Sequence, residues 1–396
     1  MHQNRLETFE LGSELKGNFM KKIRCAVIGA GGRCQNLMDH LLRHAQGALE
    51  IAALYDPEPS MREVFFHELS LQGVEISPSA EAAIHTPGVE WVIVASPNCF
   101  HCEHILAAFA AGKNVFAEKP LATSIEDCLA IEEAHKKAGK IFATGFVLRY
   151  SPLYIKAKEL LDTGRFGKIL SIEANENIYP EHGGYILTTW RRLRKFAGPH
   201  ILEKCCHDMD LLEWFTGSLP VRVQAVAARR FFTPDRAYLL DKYPPDTLMR
   251  KINKTQIESP FTVDSDVDDT IFSFSEFRNG VIASFSATMC NPIAERRMRF
   301  HCEYGTLVVE FYTMTLRYHF LGEKNEQTVT FGPCEGHGGG DGKIMEALWD
   351  SMQNGTAPLC SGSEGLRSAI FSLSLDQAAH EHRIIDLKDV WKRFHC

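Results

Sequence analysis

The sequence predicts an α/β protein of two parts: a doubly wound parallel sheet, then an α+β domain on a large, mostly antiparallel sheet. Three observations carry this. The chain, at 396 residues, is too long for one ordinary core. Short buried strands alternate with helical patterns up to about residue 148, which requires parallel pairing and helices on both faces. From Arg149 onward, runs of alternating apolar and polar residues take over, as antiparallel strands with one wet face require. The expected boundaries are 1–21 for an N-terminal extension, 22–148 for the first domain and 149–396 for the second.

The first strand is apolar at Ile23, Cys25, Val27 and Ile28, and runs into Gly29-Ala30-Gly31-Gly32-Arg33-Cys34. A helical pattern follows (Leu37, Leu41, Leu42). Strand, glycine turn and helix are the context that gives a GxGxxG-like motif its meaning. Gly29 permits the tight turn, Gly31 and Gly32 let the backbone approach a pyrophosphate, and the helix N-terminus offers unpaired N–H groups. Cys34 stands at the third glycine position, so helix and strand should lie slightly further apart. A second strand, Leu49–Tyr55, ends in Asp56, 22 residues after Cys34. A carboxylate there accepts from a ribose diol and repels a 2′-phosphate, which predicts NAD rather than NADP. After a helix over Met61–Leu69 and a short strand at Val74–Ile76, the strand Val89–Ala95 ends in the Ser96-Pro97-Asn98 loop, at the edge of the sheet where ligands bind. Helix His104–Ala111, strand Val115–Ala117, helix Ile125–Ala138 and strand Ile141–Gly145 complete this half.

In the second half, helix Leu153–Leu161 precedes alternating runs at Ile169–Asn177, Val221–Ala228, Thr270–Phe277, Val281–Thr288, Met298–Glu303, Thr306–Phe311, Thr315–Leu321 and Gln327–Phe331. An Asn-Gly turn within Glu276–Gly280 marks a hairpin. Residues Phe232–Phe261 fit no period and read as a long loop or lid. Two helices, Lys343–Gln353 and Glu364–His380, close the chain.

Composition narrows the function. Charged residues make up 23% and the net charge is −7, with no basic run, so a nucleic-acid or acidic-membrane surface is not expected. No stretch has the length of a membrane span, and the first twenty residues carry charge without an apolar block. Twelve cysteines in a chain of this size read as reduced thiols of a cytoplasmic protein.

Two clusters could do chemistry. Lys119, in Glu118-Lys119-Pro120, lies at a strand's carboxyl end, where it can hold a substrate hydroxyl and move its proton. Glu203 and His207 are four residues apart and should share a helical face, with Asp210 one turn on; a carboxylate so placed can orient an imidazole. Cys99, His101, Cys102 and His104 crowd one segment, and Cys205, Cys206 and His207 another, but the second set lacks the spacing of a zinc half-site, so no metal is expected. His337-Gly338-Gly339-Gly340-Asp341 is a flexible run in which His337 could face hydroxyls, or which could be a plain connector; Asp341 could cap the helix that follows.

Together GAGGRC after a strand, SPNCFH, EKP and the Glu203–His207 stretch resemble the Gfo/Idh/MocA oxidoreductases, from about Lys22 to the C-terminus. The resemblance implies an N-terminal Rossmann domain and a C-terminal domain whose open sheet forms the interface of dimers or tetramers. It implies that Lys119 and His207 are catalytic. Glu203 stands where many members carry Asp. Asn98 and His101 fall on the nicotinamide side, Arg149 faces the cleft, and Tyr179, Trp190 and Arg191 lie in the substrate region. The expected activity is NAD-dependent oxidation of a ring secondary hydroxyl of a sugar, glycoside (C3 of a glucoside among them) or cyclitol. The alternatives are a redox glycosidase that retains its NAD, and a non-catalytic NAD-binding sensor.

Overall fold

The structure, a computed structural model, describes residues 21–243 and 259–395. The expected N-terminal extension up to Met20 and residues 244–258 of the long loop lie outside the described residues.

Six strands form the first sheet: β1 (Ile23–Ile28), β2 (Leu49–Tyr55), β3 (Glu75–Ile76), β4 (Trp91–Val94), β5 (Asn114–Ala117) and β6 (Phe142–Thr144). Their order is β3-β2-β1-β4-β5-β6, all parallel. The order reverses between β1 and β4, which opens a crevice at their carboxyl ends. Both faces are covered, and for that reason β1 and β4 are apolar almost throughout. A short helix, Ala80–Ile84, capped by Ser79 Oγ, was not legible in the periodicity. The helix before β5 starts at His101, three residues earlier than its apolar pattern suggests.

The second sheet has nine strands: β7 (Ile169–Asn177), β8 (Pro220–Ala228), β9 (Thr270–Phe277), β10 (Ile282–Thr288), β11 (Glu295–Cys302), β12 (Gly305–Glu310), β13 (Thr315–Phe320), β14 (Gln327–Thr330) and β15 (Ile385–Asp386). The order is β14-β13-β12-β11-β7-β10-β9-β8-β15. Every pair is antiparallel except β7 with β10. Helices Pro152–Asp162, Cys206–Thr216 and Gly362–Glu381 cover one face. Among the described residues the other face is left uncovered, and on β9 it carries Phe272 and Phe274 while Ser273 and Ser275 point inward.

Two elements depart from the expected layout. The described ends of the Phe232–Phe261 segment do not lie loose as a lid. Phe232 and Phe261 are buried with Ile178, Ile186, Leu187, Val267 and Met289 in a small separate core. Helix Gly336–Asn354, far along the chain, returns to the first sheet: Ile344, Leu348 and Met352 share a core with Leu37, Leu41 and β1. No helix among the described residues is long and apolar enough to cross a membrane.

Candidate active site

The glycine turn is built to receive a diphosphate. Gly29 has φ +96°, and a Cβ there would meet the Ala95 carbonyl at 2.5 Å, so only glycine lets the β1 and β4 loops close up. Gly31 and Gly32 face open space instead. Helix Gly32–Ala45 has no side-chain cap and no acidic residue in its first turn, which leaves its leading N–H groups for a phosphate. Cys34 is buried against the sheet in the third glycine position. Asp56, at the end of β2, is anchored beside the glycine turn: Oδ2 accepts from Ala30 N–H at 2.8 Å and Oδ1 from Glu58 N–H at 2.9 Å. Arg33 reaches from the turn to the Glu118 carboxylate, 2.9 Å, and to Asp341, 2.8 Å.

Across the crevice, the β4 and β5 loops are tied together. His101 places Nδ1 2.7 Å from the Pro120 carbonyl and Nε2 2.7 Å from that of Ser96. Ser96 Oγ meets His104 Nδ1 at 3.0 Å. Asn98 is buried and donates to the Ala197 carbonyl at 2.9 Å, which joins this loop to the second domain. With these ring nitrogens engaged, the Cys99–His104 segment is a loop staple. The one group of three metal-capable side chains among the described residues, Asp268, Asp376 and His380, sits elsewhere and faces Arg194.

Lys119 follows Glu118, whose buried carboxylate also accepts the Lys119 N–H at 3.1 Å. Its Nζ spans the two domains and donates to the Glu203 carbonyl at 2.8 Å. The Glu203 carboxylate is bonded not to His207 but to Arg191 Nε, 2.8 Å away. The reason is local: the helix ends at Glu203 and a new one starts at Cys206, so the expected i,i+4 face is broken at Lys204-Cys205. Burial alone would raise the Glu203 carboxyl, but Lys119 and Arg191 outweigh it and hold it down at about 2.

His207 is buried in the first turn of the second helix, edge-on to Phe146, and its Nδ1 has no hydrogen-bond partner among the described residues. Burial, then the charges of Lys119 and Arg296, push its imidazole well below the usual range, so it stands neutral. Two histidines missed in the sequence border the same positive region. His182 is held at about 3 and His200 at about 4, in each case first by burial. Lys204, bridged to Glu176 at 3.4 Å, adds to that field.

Arg149 does not present its guanidinium to the cleft. It is buried, with Nε and Nη2 on Asp210 at 2.8 and 2.7 Å and Nη1 on Glu364 at 2.7 Å. The sequence expectation misplaced it because Asp210, one turn beyond His207, claims it first. A matching buried set was not foreseen: Arg296 donates to Asp208 at 2.9 and 2.7 Å and forms an ion pair with Glu176 at 2.7 Å. Trp190 and Arg191 stack, guanidinium over indole at 4.4 Å, beside Glu203. Tyr179 is exposed on the rim against Tyr312, with ring centroids 6.1 Å apart. His337 lies 6.0 Å from the His207 ring, and its Nδ1 is 3.0 Å from Asp341. Asp341 therefore serves Arg33 and His337 instead of capping the helix.

A parallel sheet with an uncapped glycine turn at its switch point has the form of a dinucleotide-binding domain. The chain belongs to the GFO/IDH/MocA oxidoreductase family. Residues 23–146 match its NAD-binding Rossmann fold and residues 154–308 match its C-terminal domain. Bacillus subtilis YteT, named as an oxidoreductase, is 25% identical over 76% of this chain and 82% of its own length. An inositol 2-dehydrogenase of Acidothermus cellulolyticus is 33% identical over 53% of this chain; the chain spans 58% of that relative's length. Among solved structures, levoglucosan dehydrogenase in complex with NADH and levoglucosan superposes with a TM-score of 0.76 at 19% identity, over 92% of this chain and 99% of that one.

Proposed function

We propose that the protein oxidises a secondary ring hydroxyl of a sugar, glycoside or cyclitol with NAD. The observation that carries this reading is the convergence of Lys119 Nζ from the first domain onto Glu203, beside the neutral His207 of the second. The inositol and levoglucosan dehydrogenases among the similar proteins support a polyhydroxylated substrate.

The residues suit the cofactor. Gly31, Gly32 and the open helix start would hold the pyrophosphate, Asp56 the adenosine ribose, and the loops of Ser96, Asn98, His101 and Glu118 the nicotinamide side. When bound, NAD supplies the hydride acceptor for the carbinol carbon. This chain's own task is the hydroxyl. Lys119 and His207 hydrogen-bond its oxygen, and Lys119 favours the developing alkoxide by charge. Arg191, Trp190 and Tyr179 give the sugar ring an aromatic wall with polar edges, and His337 a further hydroxyl contact. Arg149 acts from behind, by fixing the helix that carries His207.

We infer also that copies of the chain associate through the bare face of the second sheet. Val226, Phe272, Phe274 and Ile282 are each more than half exposed there, an apolar cluster that a free surface seldom keeps.

The test is turnover of NAD with a panel of glucosides, anhydrosugars and inositols, followed by absorbance of the reduced nicotinamide. Lys119→Ala should lower kcat by about 10³-fold with little change in Tm. No turnover by the wild type across the panel would reject the reading. Release of the aglycone from an aryl glycoside with no net reduced nicotinamide would instead identify an internal oxidation–elimination–reduction cycle.

A further inference from the structure

Oxidation of an alcohol releases a proton as well as a hydride, and the residues at the reaction centre are poorly placed to keep it. His207 is buried under the positive field of Lys119, Arg296, His337 and Lys204, in that order. Lys119 Nζ is already engaged as a donor to the Glu203 carbonyl. Glu203 is committed to Arg191. The proton needs a further acceptor that is close, negatively backed and in touch with water.

His337 meets all three conditions. Its ring lies 6.0 Å from that of His207. Its Nδ1 faces both oxygens of Asp341, at 3.1 and 3.0 Å. This pairing selects the Nδ1–H tautomer and leaves Nε2 as a lone-pair acceptor. The side chain is 36% exposed, whereas that of Asp341 is 8% exposed. The loop holding it is costly. His337 sits at φ +47°, followed by Gly338 and Gly339 at +63° and +83°, and a Cβ on Gly340 would lie 2.2 Å from the Val147 carbonyl. A plain connector has no need of such a conformation. Asp341 in turn is held by Arg33, the side chain that leaves the glycine turn, and Arg33 also holds Glu118, whose other oxygen accepts the Lys119 N–H.

We propose that His337 is a further catalytic residue, the acceptor that carries the substrate proton out of the site, with Asp341 and Arg33 as positioning residues that tie it to the cofactor turn. The proposal rests on the dehydrogenase reading above. In the step, the carbinol O–H bond breaks and its electron pair becomes the second bond of the carbonyl. The proton is taken by the Nε2 lone pair of His337, directly or through one water. The C–H hydride goes to oxidised nicotinamide, and the His337 imidazolium, stabilised by Asp341, then passes its proton to solvent. The charged and titratable groups around His337 are Asp341 on its own loop, Arg33 and Glu118 behind that carboxylate, and His207 with Lys119 across the cleft. Burial would raise the Asp341 carboxyl, but His337 and Arg33 hold it at about 2, so it remains an anion throughout the working range.

Two variants and one spectrum test this. His337→Ala should lower kcat about 10²-fold, leave NAD binding unchanged by fluorescence titration, and regain rate when free imidazole is added. His337→Asn, a residue that accepts the left-handed backbone, should lose as much rate and regain none. In nitrogen-15 spectra of histidine-labelled protein without ligands, at a pH where the ring is neutral, His337 should be the Nδ1–H tautomer, and Asp341→Asn should shift it toward Nε2–H. Unaltered kcat in both His337 variants, a change confined to KM, no recovery with imidazole, or an Nε2–H tautomer in the wild type would each overturn the proposal. A wild type inactive on every polyol removes the dehydrogenase reading and this proposal with it. An active wild type with indifferent His337 variants removes this proposal alone.

Discussion

The helix that carries His207 stands between two kinds of charge cluster. On its inner side, Arg149 with Asp210 and Glu364, and Arg296 with Asp208 and Glu176, form networks in which both arginines and both aspartates are almost wholly buried. On its cleft side, Lys119, Glu203, Arg191, His337, Asp341 and Arg33 use the same residue types but keep some solvent contact. The inner charges have no freedom to meet a ligand. Asp208 and Asp210 lie within one turn after His207, on different sides of the helix, so they fix its rotation and with it the direction of the imidazole. Burial pushes the Asp208 carboxyl up; Arg296 opposes this and Glu176 adds to it. Residue type alone does not separate a reacting group from a supporting one; the number of bonds already made does.

The sharpest way to break this contrast is Arg149→Met. It strands Asp210 in the interior, and removing one partner of a buried pair costs about 3–5 kcal/mol. Denaturant unfolding should show that loss. Arg149→Met combined with Asp210→Leu should recover most of it, because no buried charge then lacks a partner. A single variant as stable as the wild type would place Arg149 in the cleft after all.

Glu203→Gln probes the open side and should have a smaller effect. The native carboxyl titrates near 2, below its ordinary value of 4.5, so its contribution to stability is present above pH 4.5 and lost as pH falls toward 2. The variant should be less stable by about 1–3 kcal/mol at pH 7. The gap should close on acidification, and kcat should drop about tenfold as Arg191 loses its anchor. A stability gap that does not change with pH would mean that Glu203 acts by packing.

How much of this was readable in the sequence follows the same division. The first sheet was legible almost strand by strand, because burial on both faces leaves uninterrupted apolar runs such as Trp91–Val94. The places of Lys119 and the glycine turn were legible because short motifs fix them at strand ends, and His207 falls on a helix as its apolar stripe suggests. The Arg296 network was not, since the run was taken to begin at Met298. Yet Arg296 shares the inward phase of β11 with Met298 and Phe300, as Glu176 shares that of β7 with Ile172 and Ala174. A charge on the buried phase at the end of a strand was the available signal. Arg149 failed for a different reason: position after the last parallel strand says nothing about which carboxylate reaches it first. β15 and the helix Lys388–Arg393 were missed because each is too short to show a period.

The smallest effect expected comes from Glu213, one turn beyond Asp210, which touches the Arg149 network only through Arg367, 3.9 Å from Glu213 and 3.8 Å from Glu364. It lines a cavity of about 200 Å³ with Arg149, Trp214 and Arg367, and neither carboxylate oxygen has a hydrogen-bond partner among the described residues. Burial raises its carboxyl to about 8, with Arg367 opposing too weakly to reverse it. Between pH 4.5 and 8 the native state therefore holds a proton that the unfolded chain has lost, and stability falls as pH rises through that window. Glu213→Gln keeps the shape and removes the titration. Its advantage in unfolding free energy should be near zero at pH 4.5, grow as pH rises through that window, and level off above pH 8. If the variant tracked the wild type at every pH, Glu213 would have to be paired in solution, and the inner side of the helix would hold a third closed network.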